Sequence, residues 1–264
     1  MQSSPKRPLD LKRQSIYLLP NLFTLAALFA GFYAIVSAMN HKFDLAAVAI
    51  FAAMVLDGMD GRVARMTHTQ SAFGAEFDSL SDMVSFGVAP ALVAYVWQLH
   101  QFGKIGWMVA FIYCAAAALR LARFNTNIGI VDKRWFQGLP SPSAAALVAG
   151  LVWISHEYAE DLEPLMPALP YLALIFTLFA GLSMVCNVRF WSFKELHMRK
   201  TVPFIVMLLV VIALLILVSK PPLVLFLFFI GYGLSGYVYW LWCVLTRKPR
   251  SAVKPAETEE ENQT

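Results

Sequence analysis

The sequence predicts an all-α fold: a polytopic transmembrane helix bundle of about eight spans with both termini cytoplasmic. Three observations carry that prediction. Apolar residues make up 59% of the 264 and charged residues only 14%, with a mean hydropathy of +0.61. Soluble domains usually carry about 25% charged residues, so too few charges are present to build a water-facing shell. The apolar residues also fall into separate runs, most of them close to the roughly 20 residues that cross a hydrocarbon core. Finally, the Lys and Arg residues gather on one side of the topology those runs define.

In chain order the runs cover 16–39, 43–65, 76–99, 104–124, 141–156, 165–186, 202–219 and 221–245. The first is longer than the core of a signal peptide and reads as a membrane span. Charges interrupt the second and third. The fifth is short, as a tilted or partly re-entrant segment would be. Only Lys220-Pro221-Pro222 separates the last two, and proline cannot continue the preceding helix. Eight spans put both termini and the 2–3, 4–5 and 6–7 connections on one side. Of the 21 Lys and Arg residues, all but Lys42, Lys104 and Lys220 lie there. Basic loops mark the cytoplasmic side, which here suggests a bacterial inner membrane. Residues 1–15 read as a basic interfacial arm suited to anionic lipid, 16–246 as the membrane domain, and 247–264 as a polar, disordered tail. Cys114, Cys186 and Cys243 match no metal or disulfide spacing and read as small buried hydrophobes.

Four aspartates interrupt the second and third runs: Asp57, Asp60, Asp78 and Asp82. An ionisable residue at membrane depth is costly and marks function. Asp57 and Asp60 are three apart and Asp78 and Asp82 four apart, so each pair shares a helix face. Between them, Thr67-His68-Thr69-Gln70-Ser71 reads as a turn whose hydroxyls can cap the following helix. Folding the helices back to back about that turn brings Asp57 level with Asp82 and Asp60 level with Asp78. Converging carboxylates need a cation, and hard oxygen ligands suit Mg²⁺ or Mn²⁺. Gly58, Gly61 and Gly74 remove side chains where a phosphate must approach backbone. Arg62 and Arg65 add fixed positive charge suited to phosphate. Helix-interface pairing of aspartate with arginine accounts for at most two of the four carboxylates.

The residues Asp57, Asp60, Gly61, Ala64, Arg65, Gly74, Asp78 and Asp82 form the pattern D-x2-D-G-x2-A-R-x8-G-x3-D-x3-D. This resembles the signature of the CDP-alcohol phosphotransferases. Five further segments resemble the branch of that family that transfers a phosphatidyl group from CDP-diacylglycerol to serine. They lie at 19–25, 82–90, 120–125, 136–142 and 192–194. The resemblance covers about residues 15–200. It implies one divalent metal, Mg²⁺ or Mn²⁺, on Asp57, Asp60 and Asp78, and a second shared by Asp57, Asp78 and Asp82. It also implies Asp82 as proton acceptor. CDP-lipid contacts carry over to Pro20, Asn21, Thr24, Gly61, Arg65 and Ser71. A membrane enzyme releasing CMP in phospholipid biosynthesis follows, with a homodimer by analogy.

The acceptor rests on fewer residues. Serine carries a carboxylate and an ammonium, so its pocket needs a cation and hydrogen-bond acceptors. Arg120, Arg123, Asn125 and Lys194 stand at cytoplasmic ends of spans and can supply them; positive-inside anchoring is the competing reading of the cations. The segment 138–142 shapes a loop over that pocket or simply opens a helix at proline. The same chemistry with glycerol 3-phosphate, an inositol phosphate or choline is the alternative. A secondary transporter with an acidic ion site is the alternative of another class.

Overall fold

A computed structural model describes residues 11–67, 69–126, 135–192 and 204–246. Most of the 1–15 arm, the 247–264 tail and Lys194 lie outside the described residues.

The apolar runs are helices: α1 (Leu11–Met39), α2 (Phe43–Met66), α3 (Ala72–Asp82), α4 (Ala89–Trp97), α5 (Lys104–Thr126), α6 (Ser141–Glu157), α7 (Leu169–Val185), α8 (Phe204–Ser219) and α9 (Pro221–Leu245). Among the described residues, five helical stretches are long and apolar enough to cross a membrane: Leu19–Met39, Ala72–Trp97, Lys104–Thr126, Glu163–Val185 and Pro221–Leu245. α8 is a shorter apolar helix, exposed along almost all of its length.

α1 and α2 form the closest pair. Their corner turns at His41, whose φ of 57° closes the chain on itself. Alanines make the approach possible: Ala34 and Ala38 of α1 and Ala46, Ala47 and Ala53 of α2 are all buried. Without a hydrophobic drive between helices in lipid, such small residues let backbones pack directly.

α6 lies at the centre, packed against α2, α4, α7 and α9. Twelve of its 17 residues are buried, including the run Ala144-Ala145-Ala146. A helix surrounded by others need not match the bilayer alone, which accounts for its short apolar run. Phe226 of α9 presses against Gly150, where an added Cβ would lie 3.0 Å from the ring.

The third span departs from a plain α-helix. Met83–Val88 between α3 and α4 is π-helical, beginning directly after Asp82. A π turn loosens the backbone ladder and often marks a functional site. Hydrogen bonds to two neighbouring helices stabilise it here. The Tyr113 hydroxyl of α5 donates to the Phe86 carbonyl at 3.1 Å, and Ser85 donates to the Ala27 carbonyl of α1 at 3.1 Å. Gly31 makes room for this contact, because a Cβ there would sit 2.7 Å from Ser85 Cα.

Among the described residues the fold is helical apart from a two-stranded antiparallel ribbon that the apolar pattern did not predict. β1 (Trp135–Gln137) pairs with β2 (Arg189–Trp191), with Phe136 opposite Phe190. Phe190 is fully buried and sits on Gly236 of α9, where a Cβ would come within 2.5 Å of its ring. The ribbon thereby ties the α5–α6 and α7–α8 connections to α9. The three cysteines are free and half-buried rather than buried.

Candidate active site

The site is built on the α2–α3 hairpin. α2 ends at Met66, and the Thr67 hydroxyl turns back to the Val63 carbonyl at 2.8 Å. Thr67 and Thr69 share a hydroxyl contact of 2.7 Å. Ser71 then caps α3, its Oγ accepting from the Gly74 amide at 3.0 Å. The turn and its cap stand where the hydroxyl-rich sequence placed them.

The hairpin brings the aspartates together. Asp57, Asp60 and Asp78 each offer a carboxylate oxygen within 4.8 Å of the others. Asp57 lies against Asp82 as well as Asp78, and Asp60 lies against Asp78. The pairing across the hairpin is therefore the one that the spacing predicts. Asp82 stands at one edge of the cluster rather than inside the close trio.

The first helix holds this arrangement from outside. Thr24, buried in α1, donates to Asp60 Oδ2 at 2.7 Å. Ser81 donates to the Thr24 carbonyl at 3.1 Å, fastening α3 to the same point of α1. Ser81 and Ser85 are four apart, on one face of the third span, and both bond α1 carbonyls. Sequence reasoning missed this pair, although two serines at helical spacing inside an apolar run are a readable signal.

Beside the cluster opens a cavity of about 240 Å³. Its walls include Pro20, Asn21, Thr24, Gly61, Arg65 and Ser71, the full set that the resemblance assigns to the CDP-lipid. Asp60 and Asp78 also face it, whereas Asp57 and Asp82 do not. Gly74 admits the Asn21 amide oxygen, which would lie 3.3 Å from a Cβ at that position. Gly58 faces open space away from the cavity lining. The Arg65 guanidinium is exposed, within electrostatic reach of Asp60.

Residues 17–179 match the sequence model of the CDP-alcohol phosphatidyltransferases. The chain belongs to the CDP-alcohol phosphatidyltransferase family. Similar proteins include the CDP-diacylglycerol–serine O-phosphatidyltransferase of Helicobacter pylori, 38% identical over 231 residues, 87% of this chain and 94% of that one. Proteins of the same description from Mycobacterium tuberculosis and Saccharomyces cerevisiae are each 38% identical over shorter stretches. The first covers 58% of this chain and 55% of its own length, the second 47% and 50%.

Members of this family work with divalent metal, and the cluster suits one. Its donors are hard carboxylate oxygens, and Asp78 Oδ1 and Asp82 Oδ1 are buried without a hydrogen-bond partner. Buried carboxylates packed this closely need a cation to offset their repulsion.

The candidate acceptor residues of this phosphatidyltransferase separate into different roles. Arg120 lies in electrostatic reach of Asp82 and donates from Nη1 to Ser141 Oγ at 2.7 Å. Its Nε is buried and unpartnered. Arg123 is turned away from the aspartates. It bonds the carbonyls of Gln137 (2.9 Å), Met184 (3.2 Å) and Val185 (3.2 Å) and Asn187 Oδ1 (3.3 Å). A cation on the last carbonyls of α7 complements the helix dipole. Asn125 bonds Ser79 at 3.0 Å, joining α5 to α3 one residue from Asp78. Segment 138–142 forms a tight corner, with Gly138 at φ 78° and its amide on the Val188 carbonyl at 2.8 Å.

Proposed function

We propose that the chain transfers the phosphatidyl group of CDP-diacylglycerol to the hydroxyl of L-serine, giving phosphatidylserine and CMP. One observation carries this reading. The carboxylate cluster has two unlike sides: Asp60 and Asp78 line the cavity of the CDP-lipid residues, while Asp82, outside that lining, lies within electrostatic reach of Arg120. Two substrates can therefore meet across it.

On the first side, Asn21, Gly61, Arg65 and Ser71 bind and orient the diphosphate. Ser71 still has its hydroxyl proton to donate, because its oxygen caps α3 as an acceptor. Thr24 fixes the orientation of Asp60. A divalent cation, Mg²⁺ or Mn²⁺, held by Asp57, Asp60 and Asp78 with Asp82, supplies charge neutralisation at the diphosphate when bound. On the second side, Asp82 takes the proton from the serine hydroxyl at its unpartnered Oδ1. The hydroxyl oxygen bonds to the lipid-bearing phosphorus as the bond to the CMP oxygen breaks. Positioning and charge stabilisation supply most of the rate in such transfers.

The names of the relatives support serine over glycerol 3-phosphate, an inositol phosphate or choline. The packed cluster and family membership favour transfer over transport. The charge asymmetry supports eight spans with both termini and the site on the cytoplasmic side of a bacterial inner membrane. A homodimer fits the family by analogy.

The deciding experiment supplies purified enzyme with CDP-diacylglycerol, each alcohol in turn, and Mg²⁺ or Mn²⁺. Phosphatidylserine and CMP in equal amounts are expected. Turnover of another alcohol with none of serine would overturn the assignment.

A further inference from the structure

α6 packs against the π segment that follows Asp82, and its first residue, Ser141, is bonded by Arg120. Its first turn is uncapped. The N-cap position is Pro140, which makes no side-chain cap. The leading amides of any helix lack an intrahelical partner, and here those of Ser141 and Ser143 flank Pro142, which has none. The helix dipole makes such an end receptive to an anion. Ser141 is completely buried, and its Oγ accepts from Arg120 instead of capping the helix. Its own proton remains available to a further acceptor.

The second observation is independent of the helix. Arg120 is a half-buried cation whose Nε lies out of reach of solvent. Among the described residues its one hydrogen bond goes to a neutral hydroxyl, and its Nε is buried with no partner. A buried guanidinium requires an anion or several acceptors. Asp82, the nearest acidic influence on it, also has a buried oxygen without a partner. Donors thus gather at Arg120 and the head of α6, with a proton acceptor alongside.

We propose that Arg120, Ser141 and the first turn of α6 form a carboxylate seat that selects a hydroxyl-bearing carboxylic acid as acceptor. The seat rests on the reading that serine is the acceptor and adds what recognises it. The acid end is held at the α6 head while the hydroxyl end reaches Asp82. Ser141, which the sequence offered only as part of the 138–142 loop, is then a specificity determinant. Arg123 is a positioning residue for the seat, because its bonds to Gln137 and to the end of α7 fix the corner from which α6 starts. The Leu139 amide completes that corner on the Ser183 carbonyl at 2.8 Å.

The test uses the full-length enzyme in lipid nanodiscs and compares L-serine, L-serinamide and glycerol 3-phosphate. Serinamide keeps the hydroxyl and the ammonium but lacks the carboxylate charge. Its kcat/KM is expected to fall about 100-fold below that of serine, the scale of discrimination that a buried polar site achieves. Values within about threefold would overturn the seat while leaving the serine assignment intact. CMP release with glycerol 3-phosphate and none with serine would overturn both. In parallel, Ser141→Ala and Arg120→Lys are expected to raise KM for serine about tenfold, with kcat/KM for CDP-diacylglycerol moving less than about threefold. Ser141→Thr, which keeps the hydroxyl, should restore most of the loss. Equal effects on both substrates would place these residues in general folding and sink the proposal.

Discussion

Thr24 of α1 donates a 2.7 Å hydrogen bond to Asp60 of α2, and both residues are buried. The hydroxyl also lies 3.2 Å from the Pro20 carbonyl. It holds a single proton, and the carboxylate is the stronger partner. Thr24 therefore sets the rotamer of one cluster oxygen while lining the CDP-lipid cavity. Thr24→Val should lower kcat about tenfold and raise the Mg²⁺ concentration needed for half-maximal rate, from loss of a charge-assisted bond worth about 1.5–3 kcal/mol. Thr24→Ser should stay within about threefold of wild type. Initial rates across a Mg²⁺ series check both; unchanged metal dependence in the valine variant would contradict the role.

Asp82 occupies the edge of the cluster nearest Arg120, outside the closest trio. That position suits a proton acceptor better than a ligand engaged on every side. Asp82→Asn keeps the shape and removes the basicity. It should reduce kcat by at least about 100-fold, the usual scale for general-base loss. Binding of CDP-diacylglycerol, followed by equilibrium dialysis, should persist. A variant with full rate would eliminate Asp82 as the base.

Much of this was legible in the chain because the bilayer and the helix impose simple rules. Hydrophobic runs gave helices to within a few residues, and the period of the helix put the four aspartates in register across the hairpin. The cap at Ser71 followed from hydroxyl chemistry alone. Three features were not legible. The π turn after Asp82 depends on Ser85 reaching a carbonyl of α1 and on Tyr113 of α5 reaching the Phe86 carbonyl, so no local pattern announces it. The β1–β2 ribbon pairs two three-residue strands from distant connections, far below the length at which alternation can be read. Arg120 and Arg123 are three apart on one helix, and spacing cannot say that one turns toward Asp82 and the other onto the end of α7.

The π turn offers its own test. Gly31 of α1 passes so close to Ser85 that an added Cβ would meet its Oγ at 2.5 Å and its Cα at 2.7 Å. The backbone atom cannot rotate away, so α1 must shift. Gly31→Ala should cost about 1–3 kcal/mol by overpacking. It should also displace the Ser81 and Thr24 contacts that hold Asp60. Thermal unfolding in detergent and kcat should fall together, and a fully active variant of normal stability would mean that the helices do not meet there.

Arg123 and Arg120 should respond differently to truncation. Arg123 bonds three main-chain carbonyls and the Asn187 side chain, joining α5, the ribbon and the end of α7. Arg123→Ala should destabilise the protein by about 1–3 kcal/mol, visible as an unfolding temperature lower by several degrees. Arg120→Ala should leave stability closer to wild type and raise the KM for serine, since its partners are one hydroxyl and the charge of Asp82. Reversal of this order in a thermal-shift series would exchange the two roles.

Metal removal addresses the cluster as a whole. Asp57, Asp60 and Asp78 present oxygens within 4.8 Å of one another, and Thr24 is the only hydroxyl that donates to any of them among the described residues. Chelation should therefore do two things. Turnover should stop, returning on addition of Mg²⁺ or Mn²⁺ but not of Na⁺ at equal ionic strength. The hairpin should also loosen, because close carboxylates repel once the cation leaves. Amide hydrogen exchange in 57–82 should rise with chelator and fall again with metal, while α6, buried by its neighbours, keeps its protection. Asp60→Asn should reduce the metal-dependent part of that protection even where turnover is too slow to measure. If exchange across the hairpin ignores metal in wild type and variant alike, the cluster does not hold the ion.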